Sequence, residues 1–269
     1  MTGRAPFYRT WPMWLIIGAT ISFLYMPLVP ALLLSVRGEG AEDFTFRWFY
    51  ELWHIPLVLK ALRSTAMIAL LVGLIAPILG LLAALSIREL RLPRLILLIM
   101  LLPLFIPGVS MGLACAFLFR LLDVPPSLLT ITIVQVLWAL PFATLIILTI
   151  MSTVDPVYLE AAYLSGASRW RAFCDIELPL IAPGVFGAIS FSVIISVNET
   201  VRTSVVQGAW NTIPTYIWST YKQIGLSPAL YALMALVILL TVALAGFYLL
   251  LNRPKRPAKV PAITQASEM

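Results

Sequence analysis

The sequence predicts an all-α, polytopic membrane protein with six transmembrane helices. Of its 269 residues, 61% are hydrophobic and only 11% are charged, whereas soluble proteins carry roughly 25% charged residues. The mean hydropathy of +0.98 agrees, and together these values exclude a soluble enzyme. The apolar residues also fall into six separate runs, each long enough to cross a hydrocarbon core of about 30 Å.

The six runs define one membrane domain at residues 13–251. They cover residues 13–36, 57–87, 95–121, 127–151, 183–206 and 228–251. Arg4 and Arg9 precede the first run as they would in a secretory signal, but the run is too long and no small-residue cleavage site ends it. We therefore expect it to remain as a helix. Prolines within several runs predict bent helices, although membrane helices tolerate proline in general.

Basic residues predict how the chain is oriented in the membrane. Arginine and lysine are concentrated before the first run, between the second and third runs, and after the sixth, whereas residues 37–56 hold more acids than bases. Cytoplasmic loops carry the excess of arginine and lysine. Residues 1–12 and 252–269 are therefore predicted to be cytoplasmic, which requires an even number of spans. The basic, proline-rich tail is expected to be disordered.

The longest cytoplasmic connection, residues 152–182, is predicted to contain a helix-turn-helix. Asp155 is a good N-cap and Pro156 suits the first helical position, so a short helix is predicted to run to Ser165. Gly166 then supplies the left-handed residue that ends this helix.

A second short helix is predicted to follow in the same loop. Ser168 can cap it, and Pro179 and Pro183 are expected to stop it before the fifth span. Two interpretations of the loop remain open on physical grounds. The small side chains of residues 160–162 would let a soluble partner approach the helix closely, whereas the arginines and tryptophan of residues 169–171 suit a helix lying on the bilayer surface.

The loop resembles the EAA signature of the membrane subunits of bacterial ABC importers. That signature is EAA, three residues, G, nine residues and I-x-L-P, in the cytoplasmic loop between spans four and five. Residues 62–65, Leu-Arg-Ser-Thr, are also similar to the Asn-Ser start of the second span in this family, and the resemblance covers about residues 57–251, the MetI-like fold of type I importers. The matching residues are Glu160, Ala161, Ala162, Gly166, Ile176, Leu178 and Pro179.

The resemblance implies a mechanism and a set of partners. Residues 152–182 would form the coupling loop, with Glu160 facing a basic residue of a cytoplasmic ATPase, Ala161 and Ala162 packing on its surface, and Gly166 preserving the turn. The chain has no GxxxxGK[ST] motif, so it is expected to bind no cofactor, and ATP and Mg²⁺ are expected on two copies of a separate ATPase. A second permease subunit, giving a heterodimer, and an extracytoplasmic substrate-binding protein are the other partners implied.

Polar residues inside the spans are candidates for lining a substrate path, because burying them in a bilayer is costly. Asn198 and Glu199 lie in the fifth run, but Arg202 follows three residues later and could simply neutralise the acid. Gln135 and Trp138 share one face of the fourth run, where aromatic packing is the alternative explanation.

The C-terminal part is similar to PotC-type subunits of polyamine importers. Residues 211–218 and 225–228 carry this similarity, which implies a small cationic substrate; opines, aminoethylphosphonate and other small solutes are handled by the same group and remain alternatives. Subunits of this type typically have Asp where this chain has Asn198.

Other functional classes find little support in the sequence. Basic residues are scattered rather than clustered, so nucleic acid is not an expected partner. With His54 as the only histidine, a catalytic centre or a metal site is not expected. Cys115 and Cys174 are expected to be free thiols. A channel would not need a long EAA loop, and the bacterial inner membrane is the expected location.

Overall fold

The computed structural model describes residues 7–38, 44–90 and 93–251. Within these residues the chain is helical and has no strands, as predicted. The helices, in chain order, are α1 Phe7–Tyr25, α2 Val29–Ser35, α3 Arg47–Leu52, α4 Pro56–Glu89, α5 Pro93–Phe105, α6 Gly108–Leu121, α7 Leu128–Met151, α8 Val157–Leu164, α9 Arg169–Ala172, α10 Leu178–Val197, α11 Thr203–Val206, α12 Ile213–Ile224 and α13 Pro228–Leu251.

Five helical stretches of the described chain are long and apolar enough to cross a membrane. They are Trp11–Ser35, α4, α7, Arg169–Val197 and Pro228–Leu250. The third apolar run is bent, as its prolines predicted, because α5 and α6 meet at an angle of 101°. Pro107 explains the break, since it lacks the N–H needed to continue the helix and disfavours a helical conformation at Ile106. The count is six spans if the bent pair crosses as one.

The fifth span was predicted too far toward the C-terminus, at residues 183–206. It begins at Arg169, within the predicted loop, and stops at Val197, so residues 198–202 form a turn rather than the last part of a membrane helix. The prediction that Pro179 and Pro183 stop a separate helix was also wrong. Arg169 to Val197 form one span, with a π-helical stretch at Phe173–Glu177. Pro179 directly follows the π-helical stretch, in which the Leu178 N–H bonds to the Phe173 carbonyl.

The centre of the fold is the packing of α4, α7 and α10 against one another. Its core contains Ile68 and Val72 of α4 together with Ile131 and Ile147 of α7, all nearly inaccessible to solvent. Gly80 allows α4 and α7 to approach each other closely, because a Cβ there would lie 2.9 Å from the Thr144 backbone nitrogen. By contrast, the first span has almost no buried surface within this subunit.

Residues 1–6 and the predicted tail 252–269 lie outside the described residues, whereas Phe7 to Pro12 of the predicted N-terminal segment already belong to α1.

Candidate functional site

The loop between α7 and α10 contains a short helix where one was predicted. The Asp155 carboxylate accepts a hydrogen bond from the Val157 backbone N–H at 3.0 Å, and α8 follows. Gly166 has φ +83°, and a Cβ at this position would meet no atom within 4 Å. Glycine is therefore needed here for its backbone conformation rather than for space.

The EAA residues of α8 point in two directions. Glu160 and Ala161 are exposed, and Leu164 at the end of the helix is 90% exposed. Ala162, expected to pack on a partner, instead packs within this subunit and is 7% exposed. The exposed face of α8 is thus formed by Glu160, Ala161 and the neighbouring apolar side chains of Tyr158 and Leu164.

The rest of the EAA signature anchors the loop to the membrane helices. The Ser168 hydroxyl accepts a hydrogen bond from the Arg171 backbone N–H at 3.3 Å, as predicted for an N-cap. Ile176 and Leu178 are half-buried at the π-helical stretch and the start of α10, while Pro179 is exposed.

An ion pair that the sequence did not indicate ties this loop to α4. The Arg88 guanidinium donates to both carboxylate oxygens of Glu177, with an Nη2 to Oε2 distance of 3.3 Å. The Glu177 side chain is only 5% exposed, whereas that of Arg88 is 39% exposed and also reaches Glu89 at 3.2 Å. Since the partners are 89 residues apart, no local pattern could have joined them.

A second polar region lies where α10 ends. Gln135 of α7 is buried, donates through Nε2 to the Thr203 hydroxyl at 2.8 Å, and accepts through Oε1 from the Ser196 hydroxyl at 2.5 Å. This one amide therefore connects α7, α10 and α11. Both polar atoms of the Gln135 side chain therefore bond to residues of this subunit.

Glu199 is paired with Arg202, which is the alternative that the sequence left open. Arg202 donates to the Glu199 carboxylate from its backbone N–H at 2.7 Å and from Nη1 at 2.9 Å, and both residues are less than 9% exposed. The guanidinium carbon also lies 3.6 Å from the ring centre of Trp138, a cation–π contact. Glu199 and Trp138 therefore both contact Arg202, whereas Gln135 bonds separately to Ser196 and Thr203.

Asn198 faces away from that network. Its side-chain amide donates to the Ile194 carbonyl at 2.8 Å, and the residue lines a cavity of about 510 Å³ between the end of α10, α12 and α13. Thr200, Trp218 and Tyr221 line the same cavity. Sequence reasoning missed Thr200 and Tyr221, although the polar and aromatic spacing of α12 was a signal that could have found Tyr221.

No group of three histidine, cysteine, aspartate or glutamate side chains that could hold a metal ion occurs within the described residues.

Residues 76–256 match the family model described as binding-protein-dependent transport system inner membrane component. The chain belongs to this family. It is accordingly a multi-pass inner-membrane permease subunit of an importer rather than an enzyme, as the EAA signature implied.

Polyamine permeases are among the relatives of this permease subunit. It is 26% identical over 239 residues to the spermidine/putrescine transport system permease protein PotC of Haemophilus influenzae, covering 86% of this chain and 93% of that protein. It is 25% identical over 244 residues to PotC of Escherichia coli K12, covering 88% and 92%. A sulfate transport system permease protein, CysT of Escherichia coli K12, is 27% identical over 125 residues, covering 41% and 45%.

Solved structures share the fold. A chain of a bacterial alginate ABC transporter, crystallised in complex with an alginate pentasaccharide-bound periplasmic protein, superposes with a TM-score of 0.69 at 18% identity, covering 91% of this chain and 95% of that one. A chain of an amino acid ABC transporter gives a TM-score of 0.60 at 15% identity, covering 77% and 97%.

Proposed function

We propose that this subunit pairs with a second, similar but distinct permease subunit and with two copies of a cytoplasmic ATPase, and that an extracytoplasmic binding protein delivers the substrate. ATP and Mg²⁺ bind to the ATPase. Both chain termini face the cytoplasm, which places α8 on the ATPase side. The observation that supports this arrangement best is α8 itself, a short helix with an exposed face that includes Glu160 and Ala161.

In this proposal α8 is the coupling helix. Glu160 pairs with a cation in the ATPase groove, and the small side chain of Ala161 lets the groove approach the helix backbone closely. Gly166 holds the turn that sets the angle of the helix, while Ala162, Ile176, Leu178 and Pro179 fix the loop to the subunit. Movement of α8 then reaches α4 through the Glu177–Arg88 pair.

Purification of the chain together with the products of its neighbouring genes tests the assembly. We expect a stable complex that contains a second permease and the ATPase, and that hydrolyses ATP faster when the loaded binding protein is added. Transport by this chain purified alone would contradict the proposal.

The substrate proposed is a small cationic solute such as a polyamine. Support comes from the two PotC relatives, which match nearly the whole chain, whereas the sulfate permease matches less than half of it. The cavity beside Asn198 also has suitable chemistry, because the faces of Trp218 and Tyr221 can bind an ammonium group. The Lys222 ammonium already lies 4.7 Å from the ring centre of Trp218.

On this account Asn198 lines the path, while the Glu199–Arg202–Trp138 contacts and the hydrogen bonds of Gln135 stabilise the helix ends beside it. An uptake assay with competing solutes tests the substrate class. We expect excess unlabelled spermidine or putrescine to suppress uptake of a labelled polyamine. Excess sulfate, an opine or aminoethylphosphonate should have no effect on that uptake. Preference for an anionic solute would overturn the substrate proposal and leave the assembly untouched.

A further inference from the structure

A cleft of about 1020 Å³ separates the cytoplasmic end of α4 from the coupling loop. One wall is a stripe of aliphatic side chains on successive turns of α4, and the other is formed by Tyr163 and the start of the fifth span. The aliphatic residues are Ile78, Leu81, Leu82 and Leu85. Ile78 and Leu82 are more than half exposed in this subunit, so the cleft offers an unfilled apolar surface at membrane depth.

The length of α4 places the two ends of the cleft in different surroundings. With 34 residues, the helix is about 51 Å long at 1.5 Å per residue, which exceeds the hydrocarbon thickness of about 30 Å. Its charged end at Arg88 and Glu89 therefore lies at the level of the lipid head groups, and the stripe from Leu85 to Ile78 descends toward the acyl chains.

Two arginines and two glutamates line the mouth of the cleft, and one of the arginines, Arg169, is available to an anion. Arg88 is paired with both Glu177 and Glu89. Among the residues that the structure describes, no acidic side chain pairs with Arg169, which also lines the cleft. The neighbouring Trp170 is 74% exposed, as expected of an indole at the membrane interface.

We propose that this cleft binds an anionic phospholipid of the cytoplasmic leaflet. Its phosphate pairs with Arg169, Trp170 packs at the level of the glycerol esters, and one acyl chain lies along the α4 stripe. Basic pockets at the cytoplasmic side of membrane helices are suited to such head groups. Because the lipid would contact both α4 and the coupling loop, it would stabilise their relative position alongside the Glu177–Arg88 pair.

Lipid retention by the complete complex tests the proposal. The complex is incorporated into nanodiscs that contain phosphatidylcholine and phosphatidylglycerol, released, and analysed by native mass spectrometry. We expect the wild-type complex to retain phosphatidylglycerol preferentially, Arg169→Gln to lower its retention about fivefold, and Arg169→Lys to restore most of it. Arg171→Gln is the matched control, because Arg171 is exposed but does not line the cleft.

A second pair of variants tests the acyl-chain site without changing charge. Leu82→Trp fills the cleft and is expected to lower lipid retention, whereas Leu79→Trp, on a part of α4 that does not line the cleft, is not. Equal losses in Arg169→Gln and Arg171→Gln would indicate general attraction to the anionic surface and overturn the proposal. Unchanged retention in Leu82→Trp, or a cross-link that places the ATPase inside the cleft, would also overturn it.

Discussion

Two glutamate–arginine pairs stabilise the polar regions of this membrane protein, and they differ in what they join. Glu177 and Arg88 are 89 residues apart and connect the coupling loop to α4, with Arg88 partly exposed. Glu199 and Arg202 are three residues apart and fix a single turn, with both side chains buried. The same chemistry thus serves a connection between helices at one end of α10 and the shape of one turn at its other end.

Because the two pairs differ in burial, removing one partner is expected to have a different consequence in each. Removing one partner of a fully buried pair leaves a charge that water cannot reach. Removing the buried partner of a half-exposed pair leaves a cation that can still be hydrated. Substitutions in the Glu199–Arg202 pair should therefore lower the stability of the complex. Substitutions in the Glu177–Arg88 pair should mainly weaken the coupling of ATP hydrolysis to transport.

The largest effect is expected from Glu199→Gln. It leaves the Arg202 guanidinium buried beside Trp138 without its carboxylate, at a cost of about 3–5 kcal/mol. The measurement is the fraction of complex that survives heating, followed by size-exclusion chromatography. Adding Arg202→Gln should recover much of the loss, because no unpaired charge remains. A Glu199→Gln complex that is fully stable and fails only in uptake would instead make Glu199 a substrate ligand.

A smaller and asymmetric effect is expected at the coupling loop. Arg88→Gln leaves the buried Glu177 carboxylate unpaired and should cost about 1–3 kcal/mol, whereas Glu177→Gln leaves Arg88 with Glu89 and water and should cost about 1 kcal/mol or less. Both should lower the number of substrate molecules imported per ATP hydrolysed. Equal losses of stability in Arg88→Gln and Glu177→Gln would contradict the expectation that an unpaired buried Glu177 costs more than an unpaired, partly exposed Arg88.

Two glycines with nearly the same φ allow the loop between α7 and α10 to be compared with the loop between α12 and α13. Gly166 has φ +83° and Gly225 has φ +79°, and a Cβ at either would meet no other atom within 4 Å. Valine at Gly166 should cost about 1–2 kcal/mol of backbone strain, and valine at Gly225, whose ψ of −158° is essentially restricted to glycine, should cost about 1–3 kcal/mol. Only Gly166→Val should abolish stimulation of ATP hydrolysis by the loaded binding protein. The same loss in Gly225→Val would show that strain, rather than the angle of α8, is responsible.

The smallest effect is expected from Asn198→Ala, which removes one amide from the cavity wall while the Glu199–Arg202 turn remains. Loss of one hydrogen bond of about 1 kcal/mol should raise the KM for a cationic solute about fivefold with little change in thermal stability. Gln223→Ala, an amide on α12 that does not line the cavity, is the control. An unchanged KM for Asn198→Ala would remove this residue from the path.

Sequence reasoning was most successful where structure depends on neighbouring residues. Gly166 and Ser168 have the local roles predicted for them, because caps and left-handed turns are set by the residue itself and the next three or four. The prediction for Asp155 was wrong by one residue, since Pro156 is the N-cap of α8 and the Asp155 carboxylate bonds to the Val157 N–H. The apolar runs likewise predicted which segments are helical, since the bilayer requires helices of a certain length.

Features that depend on distant residues were not predicted. The end of α10 at Val197 follows from the network that Gln135 makes with Ser196 and Thr203, and that network joins three helices. The Glu177–Arg88 pair and the inward orientation of Ala162 likewise arise from the packing of the loop on the bundle. Composition and spacing carry no information about such contacts.

Photo-cross-linking from two exposed aromatic positions tests most directly that α8 is the surface that meets the ATPase. A photoreactive phenylalanine derivative replaces Tyr158 on α8 or, as the control, Trp53 after α3, both more than half exposed, in a complex that still imports its substrate. We expect an adduct with the ATPase from position 158 and none from position 53. No adduct from position 158, or adducts from both positions, would contradict the assignment of α8 as the coupling helix.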